Sequence, residues 1–114
     1  MTGPALADPA GVLALTEAEF AAAIEGHHLA VVDFWASWCA PCRRFAPVFA
    51  AASAAHPDVL FASVDTEAEP GLAAAAQIRT LPTVMVFRDG RLVETHRGGL
   101  RASSLARTLA RARE

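Results

Sequence analysis

Residues 29–43 of this 114-residue chain read LAVVDFWASWCAPCR. The opening run, Leu29 to Trp35, is almost entirely apolar and rich in β-branched and aromatic residues, which is typical of a strand buried on both faces. A turn is predicted at Ser37–Pro41, and the sequence from Cys42 to Ala55 places apolar residues at helical spacing. The segment therefore predicts a strand that leads through a tight turn into a helix.

Helical and strand patterns alternate on both sides of this segment. Upstream, Thr16 and Glu19 have the spacing of a capping box and predict a helix at 17–25. Pro47 lies inside the helix at 42–55 and predicts a kink there. The elements predicted downstream are a strand at 59–64, a short alanine-rich helix within 67–77 that starts at Pro70, a strand at 83–87, a hairpin turn at 89–90, a strand at 91–97 and a helix at 102–112.

The order of these elements indicates the fold class. Alternating helices and strands, followed by a hairpin and a last helix, predict an α/β fold with a central mixed β-sheet flanked by helices on both faces. Residues 1–11 are expected to be a flexible leader, and 12–114 a single domain. With 54% hydrophobic and 19% charged residues, the composition favours a folded globule over intrinsic disorder.

Charge and hydropathy exclude several classes of function. The formal net charge is −2, which argues against a nucleic-acid binder or a protein that binds anionic membranes. No apolar run approaches the roughly 18 residues needed to span a bilayer. Residues 1–11 have neither the basic stretch nor the apolar region of a secretory signal. We therefore expect a soluble, cytoplasmic protein, and a monomer is the default expectation.

The chemistry is expected at the two cysteines, Cys39 and Cys42, which lie where the predicted helix begins. A helix N-terminus carries partial positive charge and free N–H groups, so it favours a thiolate over a thiol. Arg43 and Arg44 add positive potential nearby. Cys39 is expected to be the exposed member of the pair. Cys42, one turn further on, is then placed to attack a mixed disulfide formed at Cys39.

Other interpretations of the cysteine pair are weaker. A structural disulfide closing so short a loop stabilises by only about 2 kcal/mol before strain. Two inert core cysteines are a further, weaker alternative. A metal site needs about four ligands, and the pair supplies two. The four histidines show no ligand spacing to it: His27, His28, His56 and His96. We therefore predict a redox-active dithiol without a metal.

Residues 32–43 closely resemble the active-site segment of the thioredoxin family. The resemblance covers roughly residues 16–112 and includes further motifs in the same order: Pro47, Val64-Asp65, Arg79-Thr80-Leu81-Pro82-Thr83, Phe87-Arg88-Asp89-Gly90 and Gly98. It implies a thioredoxin fold and a protein-disulfide reductase, with Cys39 as nucleophile and Cys42 as resolving thiol. It also implies a cis peptide bond before Pro82 and pairing of the Leu81 backbone with the substrate chain.

The same resemblance implies a surface on which client proteins dock. Glycines in it would let a partner backbone approach closely. The residues expected to form it are Trp38, Ala40, Pro41, Thr80, Leu81, Pro82, Gly98 and Gly99. Trp35, by contrast, is expected in the core.

Asp33 interrupts the apolar run of the buried strand. A buried carboxylate is costly unless it is paired or protonated, so its pKa should be raised. We expect Asp33 to exchange a proton with Cys42. The alternative is a hydrogen-bonded aspartate at a sheet end. Thioredoxins usually have a lysine near this aspartate on the next strand, whereas this chain has Ser63, which should raise the pKa of Asp33 further.

The sequence departs from the family pattern at two more positions. Ala40 replaces a common glycine and should stiffen the turn, and Arg97 replaces a common apolar residue. Arg97 is either a solvated charge at a strand end or a contact that favours acidic partners.

The resemblance further implies disulfide-containing client proteins and thioredoxin reductase as partners. It implies no bound cofactor, because NADPH would be used indirectly through that reductase. Two alternatives on the same fold remain. One is an oxidase or isomerase of secreted proteins, which commonly carries histidine between the cysteines. The other is a binding module that acts without redox turnover.

Overall fold

The computed structural model describes residues 11–114. The leader predicted at 1–11 therefore lies outside the described residues, apart from Gly11. Within the described range, five strands and four helices follow one another along the chain. Their bounds are β1 Leu13–Ala14, α1 Glu17–Glu25, β2 Leu29–Trp35, α2 Ala40–Ala55, β3 Leu60–Asp65, α3 Pro70–Ala75, β4 Thr83–Arg88, β5 Arg91–Arg97 and α4 Ala102–Arg113.

The strands form one mixed sheet in the order β1-β3-β2-β4-β5. β1 and β2 run parallel to β3, while β4 is antiparallel to both β2 and β5. β2 lies at the centre and is hydrogen-bonded on both sides, and six of its seven residues are buried. This position explains its nearly unbroken apolar sequence. The predicted mixed sheet is confirmed.

Helices cover both faces of the sheet, as predicted. On one face, α2 and α4 contribute Phe45, Phe49, Leu105 and Leu109 to a core that also includes inward-facing strand residues. On the other face, α1 and α3 contribute to a second core, which includes Ile24, Leu72, Val32 and Phe34. The alternating side chains of β2 divide between these two cores, so the central strand joins them.

Two predicted boundaries and one omission need correction. β1 was not expected, because two residues are too few for a periodic pattern and the strand exists only through its pairing with β3. α2 begins at Ala40, not Cys42, because the Cys39 side chain caps it. α3 ends at Ala75, and Gln77 beyond it has a φ of 58°, which helices do not adopt. Several other strand and helix ends differ from the predicted ends by one residue.

The helix α2 continues through Pro47, and the kink expected at that residue stays a prediction.

Candidate active site

The two cysteines lie where β2 ends and α2 begins, and they form a disulfide. Cys39 is the N-cap residue of α2, and the backbone N–H of Cys42 donates a hydrogen bond to Cys39 Sγ at 3.2 Å. The sulfur thus occupies the place where a helix N-terminus offers free N–H groups. This contact would stabilise a thiolate at Cys39 once the disulfide is reduced.

Both cysteines are buried, which corrects the expectation that Cys39 is exposed. The exposed fraction is 5% for Cys39 and 3% for Cys42. The cause is a small apolar cluster, in which Trp35 and Leu81 pack against the pair. The two cysteines nevertheless differ in access, because Cys39 and Cys42 line different cavities.

We call the cavity beside Cys39 the client cavity. It has a volume of about 420 Å³, and its walls include Trp38, Pro41, Ile78 and Leu81. Trp38 is 63% exposed, and its indole N–H donates to a carboxylate oxygen of Glu67. This bond holds a large, exposed side chain in the lining of the cavity. Such a surface can receive an apolar segment of another chain next to Cys39.

The peptide bond between Leu81 and Pro82 is cis, as the family resemblance implied. Pro82 is buried, and its carbonyl accepts a hydrogen bond from Gly98 N–H at 2.7 Å. The Thr80 carbonyl accepts from the Thr83 hydroxyl at 2.6 Å. Leu81 lies between these two bonded carbonyls, and within residues 11–114 its own backbone N–H and carbonyl have no hydrogen-bond partner. The backbone of Leu81 is therefore free to pair with another chain.

Two adjacent glycines complete this end of the sheet. Gly98 has a φ of +98°, a conformation that L side chains rarely adopt. A Cβ built on Gly98 meets no described atom within 4 Å, whereas one built on Gly99 lies 3.4 Å from Phe45. Gly98 is thus required for its conformation, and the space beside it is open.

Arg97 precedes Gly98 and is exposed, and it has no ion pair within residues 11–114. The expectation that Arg97 favours acidic partners stays a prediction.

Asp33 lies on β2 with an exposed fraction of 5%. Burial raises the pKa of this carboxyl to about 7, in the predicted direction. Its Oδ1 atom has no hydrogen-bond partner within residues 11–114, so the alternative of a hydrogen-bonded aspartate is wrong for this atom. Asp33 pairs with Ser63 in the register of β2 and β3. Both residues and Cys42 line the second cavity, which has a volume of about 240 Å³ and which we call the carboxyl cavity.

The structure brings the sequence-predicted residues together at one end of the sheet and adds others. Glu67 was missed as the partner of Trp38, and Ile78 was missed as a wall of the client cavity. Ile78 could have been suspected as an apolar residue in the loop before Leu81. Nothing in the sequence signals the bond of Glu67, because it joins residues 29 positions apart.

Two further findings concern the described part of the chain. Residues 11–114 include no group of three or more His, Cys, Asp or Glu side chains placed to hold a metal ion. None of the helices in this range has the length and apolar character that crossing a membrane requires.

Comparisons with known proteins agree with this geometry. The model of the family described as Thioredoxin matches residues 11–111. Thioredoxin 1 of Synechococcus elongatus is 40% identical over 98 residues, covering 84% of this chain and 92% of the relative. A solved structure of Plasmodium falciparum thioredoxin superposes with a TM-score of 0.80 at 31% identity, covering 86% of this chain and 96% of its own. Oxidised mitochondrial thioredoxin 3 of Saccharomyces cerevisiae gives a TM-score of 0.81 at 29% identity, covering 88% and 94%.

Proposed function

The chain belongs to the thioredoxin family, and from this premise we propose a reaction cycle for its residues. As a member of the family it is a thiol–disulfide oxidoreductase that reduces protein disulfides. Members work without a bound cofactor. One observation carries the assignment of roles: Cys39 Sγ accepts the N–H of Cys42 at the start of α2. That position favours a thiolate at Cys39, whereas Cys42 lies inside the first turn.

The cycle begins when the Cys39 thiolate attacks one sulfur of a client disulfide. The client S–S bond breaks, its other sulfur leaves and takes up a proton, and a mixed disulfide joins Cys39 to the client. Cys42 then loses its proton and attacks Cys39 Sγ. The mixed disulfide breaks, the second client thiol leaves, and the bond between Cys39 and Cys42 forms. Two electrons have passed from the dithiol to the client.

Asp33 is the proton acceptor in the second step. It lines the same cavity as Cys42, and its pKa of about 7 allows it to exchange a proton near neutral pH. The nearby Ser63 side chain carries no charge that would hold Asp33 ionised. This arrangement supports a resolving step whose rate depends on the protonation of Asp33.

Client proteins dock at the client cavity. The backbone of Leu81 pairs with the client chain, and the open space beside Gly98 admits that chain's backbone. Trp38, Ala40 and Pro41 provide the apolar contact next to Cys39. The remaining contacts of this surface are Thr80, Pro82 and Gly99.

The same proposal extends to partners and setting. An NADPH-dependent thioredoxin reductase returns the disulfide to the dithiol, so that the protein carries electrons between NADPH and its clients. We propose that it acts as a monomer in the cytoplasm. Residues 12–114 form the working domain, and 1–11 act as a leader.

The test is the reduction of insulin disulfides driven by dithiothreitol, with Cys39→Ser as control, followed by equilibration against glutathione. We expect rapid insulin reduction that is lost in the control, together with a strongly reducing potential. An oxidising potential would contradict the reductase role and favour disulfide formation or isomerisation. If a Cys39→Ser, Cys42→Ser variant kept the cellular role, the protein would instead act as a binding module.

A further inference from the structure

The carboxyl cavity combines a buried acid with an unfilled space. Of the buried side-chain nitrogen and oxygen atoms in residues 11–114, Asp33 Oδ1 is the one without a hydrogen-bond partner. Ser63 lines the same cavity, and within residues 11–114 its hydroxyl forms no hydrogen bond. With a volume of about 240 Å³, the cavity exceeds the roughly 30 Å³ that one water occupies in the liquid. It has room for a small organic molecule.

The lining indicates what chemistry such a molecule needs. An ionised carboxylate left buried without a partner is costly, so a cationic hydrogen-bond donor gains most by contacting Asp33. The Ser63 hydroxyl offers a second acceptor close to it. The remaining walls are mainly apolar and include Val12 and Phe49. These apolar walls can pack against methylene groups.

We propose that the carboxyl cavity binds a primary alkylammonium group, with its N–H groups donating to the Asp33 carboxylate and to Ser63 Oγ. The short alkyl chain lies against Val12 and Phe49. This inference rests on the role proposed for Asp33, and it adds a means of regulation. An ammonium held there keeps Asp33 ionised and ready to accept the proton of Cys42, so the resolving step becomes faster at acidic pH.

The charged groups around Asp33 leave room for this cation. On α2, Cys42 is in the disulfide, and Arg43 lines the cavity as an exposed side chain whose guanidinium donates to the Ser37 carbonyl at 2.8 Å. Its charge opposes a cation, but solvent screens it more strongly than it screens the buried Asp33. The residue opposite Asp33 is Ser63 on β3 and Val84 on β4, so neither of its two register partners adds a charge.

The experiment follows the oxidised protein by ¹H–¹⁵N NMR at pH 8 during titration with n-propylammonium chloride. Tetramethylammonium chloride at equal ionic strength is the matched control, because it carries the same charge but no N–H donor. We expect saturable shifts at Asp33, Ser63 and Cys42 with propylammonium only. At saturation, the pKa of Asp33, followed through its carboxyl ¹³C signal, should fall by about 1 unit or more.

Two variants locate the site. Asp33→Asn removes the charge and Ser63→Val fills part of the cavity, and each should abolish the saturable shifts. Ala51→Val, in a separate groove between α2 and α4, should leave them unchanged. Equal shifts with tetramethylammonium, no saturable shift, or full binding in Asp33→Asn would each overturn the inference. If Ser63→Val does not fold, Asp33→Asn alone decides.

Binding is measured on the oxidised protein without turnover, so this inference and the proposed function fail separately. Insulin reduction without ammonium binding overturns only the inference. Ammonium binding in a protein that does not reduce insulin overturns only the proposed cycle.

Discussion

Asp33 of β2 and Ser63 of β3 are register partners in the parallel strand pair, and both line the cavity that reaches Cys42. The residue beside the buried carboxyl therefore brings a hydroxyl and no charge. Burial raises the pKa of Asp33 to about 7. The pH dependence of the resolving step should follow from this pair.

Placing a cation at position 63 should lower the raised pKa of Asp33. Ser63→Lys brings an ammonium near Asp33, and an opposite charge within about 4–6 Å lowers a carboxyl pKa by about 1–3 units. We expect the acid limb of the pH–rate profile for insulin reduction to move to lower pH by a similar amount. Ala54→Lys adds the same charge on the exposed face of α2 and serves as control. An unchanged profile in Ser63→Lys would count against the proposed role of Asp33.

Replacing Asp33 should stabilise the oxidised protein at alkaline pH. Its pKa is about 7 when folded and 3.8 ordinarily. The folded state therefore binds the proton of Asp33 more tightly than the unfolded state does. The contribution of the protonated carboxyl to the free energy of unfolding is fully present below pH 4 and is lost as the pH rises through 7. Asp33→Asn removes this loss. We expect its free energy of unfolding in urea to exceed that of the wild type by up to about 4 kcal/mol at pH 8.5, and by less at pH 5.

Asp58→Asn makes the same chemical change at an exposed site. A side-chain hydrogen bond from Arg113 lowers the pKa of Asp58, which is opposite to the shift at Asp33. The contribution of ionised Asp58 to stability is present above the ordinary pKa of the carboxyl and is lost as the pH falls. Asp58→Asn should therefore show no gain in the free energy of unfolding at pH 8.5. If both variants gained equally, relief of buried charge would not be the cause.

Gly98→Ala isolates the cost of a backbone conformation. The φ of Gly98 is +98°, and the added methyl would meet no described atom within 4 Å. We expect a loss of about 1–3 kcal/mol in the free energy of unfolding, because alanine resists this conformation. Gly99→Ala, whose methyl contacts Phe45 at ordinary distance, should cost less. Equal losses in the two variants would contradict a requirement for positive φ.

Trp38→Ala should impair client binding more than folding. Because Trp38 is 63% exposed, its removal should change the free energy of unfolding by less than about 1 kcal/mol. The kcat/KM for insulin should fall about tenfold, as expected for a central aromatic contact. Reduction of a small aromatic disulfide should change little, since that substrate needs no protein docking surface. A parallel loss with both substrates would assign Trp38 to the chemistry of Cys39 instead.

Arg97→Val tests the preference for acidic partners. Two insulin-derived disulfide peptides, differing only in glutamate or glutamine beside the cysteine, would be compared by kcat/KM. If Arg97 contacts the client, the wild type prefers the glutamate peptide severalfold, and Arg97→Val removes the difference. If the variant keeps the same preference, Arg97 is only a solvated charge at the end of β5.

Local patterns determined most of the fold. The apolar run at 29–35 indicated a central strand, and the hairpin signal at Asp89-Gly90 indicated the antiparallel pair β4 and β5. These features are readable because a strand buried on both faces and a tight turn each restrict the residue types allowed. Family resemblance added the cis bond before Pro82, which spacing and periodicity do not indicate.

The sequence by itself therefore determined the order of the elements, the reactive pair at the start of α2, and the presence of a carboxyl in a buried strand. Only the tertiary structure decided that β1 pairs with β3, that Trp38 bonds to Glu67, and that Asp33 lines a cavity while its Oδ1 finds no hydrogen-bond partner in the described part of the chain. The reason is physical. Local patterns act between residues a few positions apart, whereas hydrogen bonds, burial and empty space at the site depend on strands and loops about 30 positions apart meeting in one register.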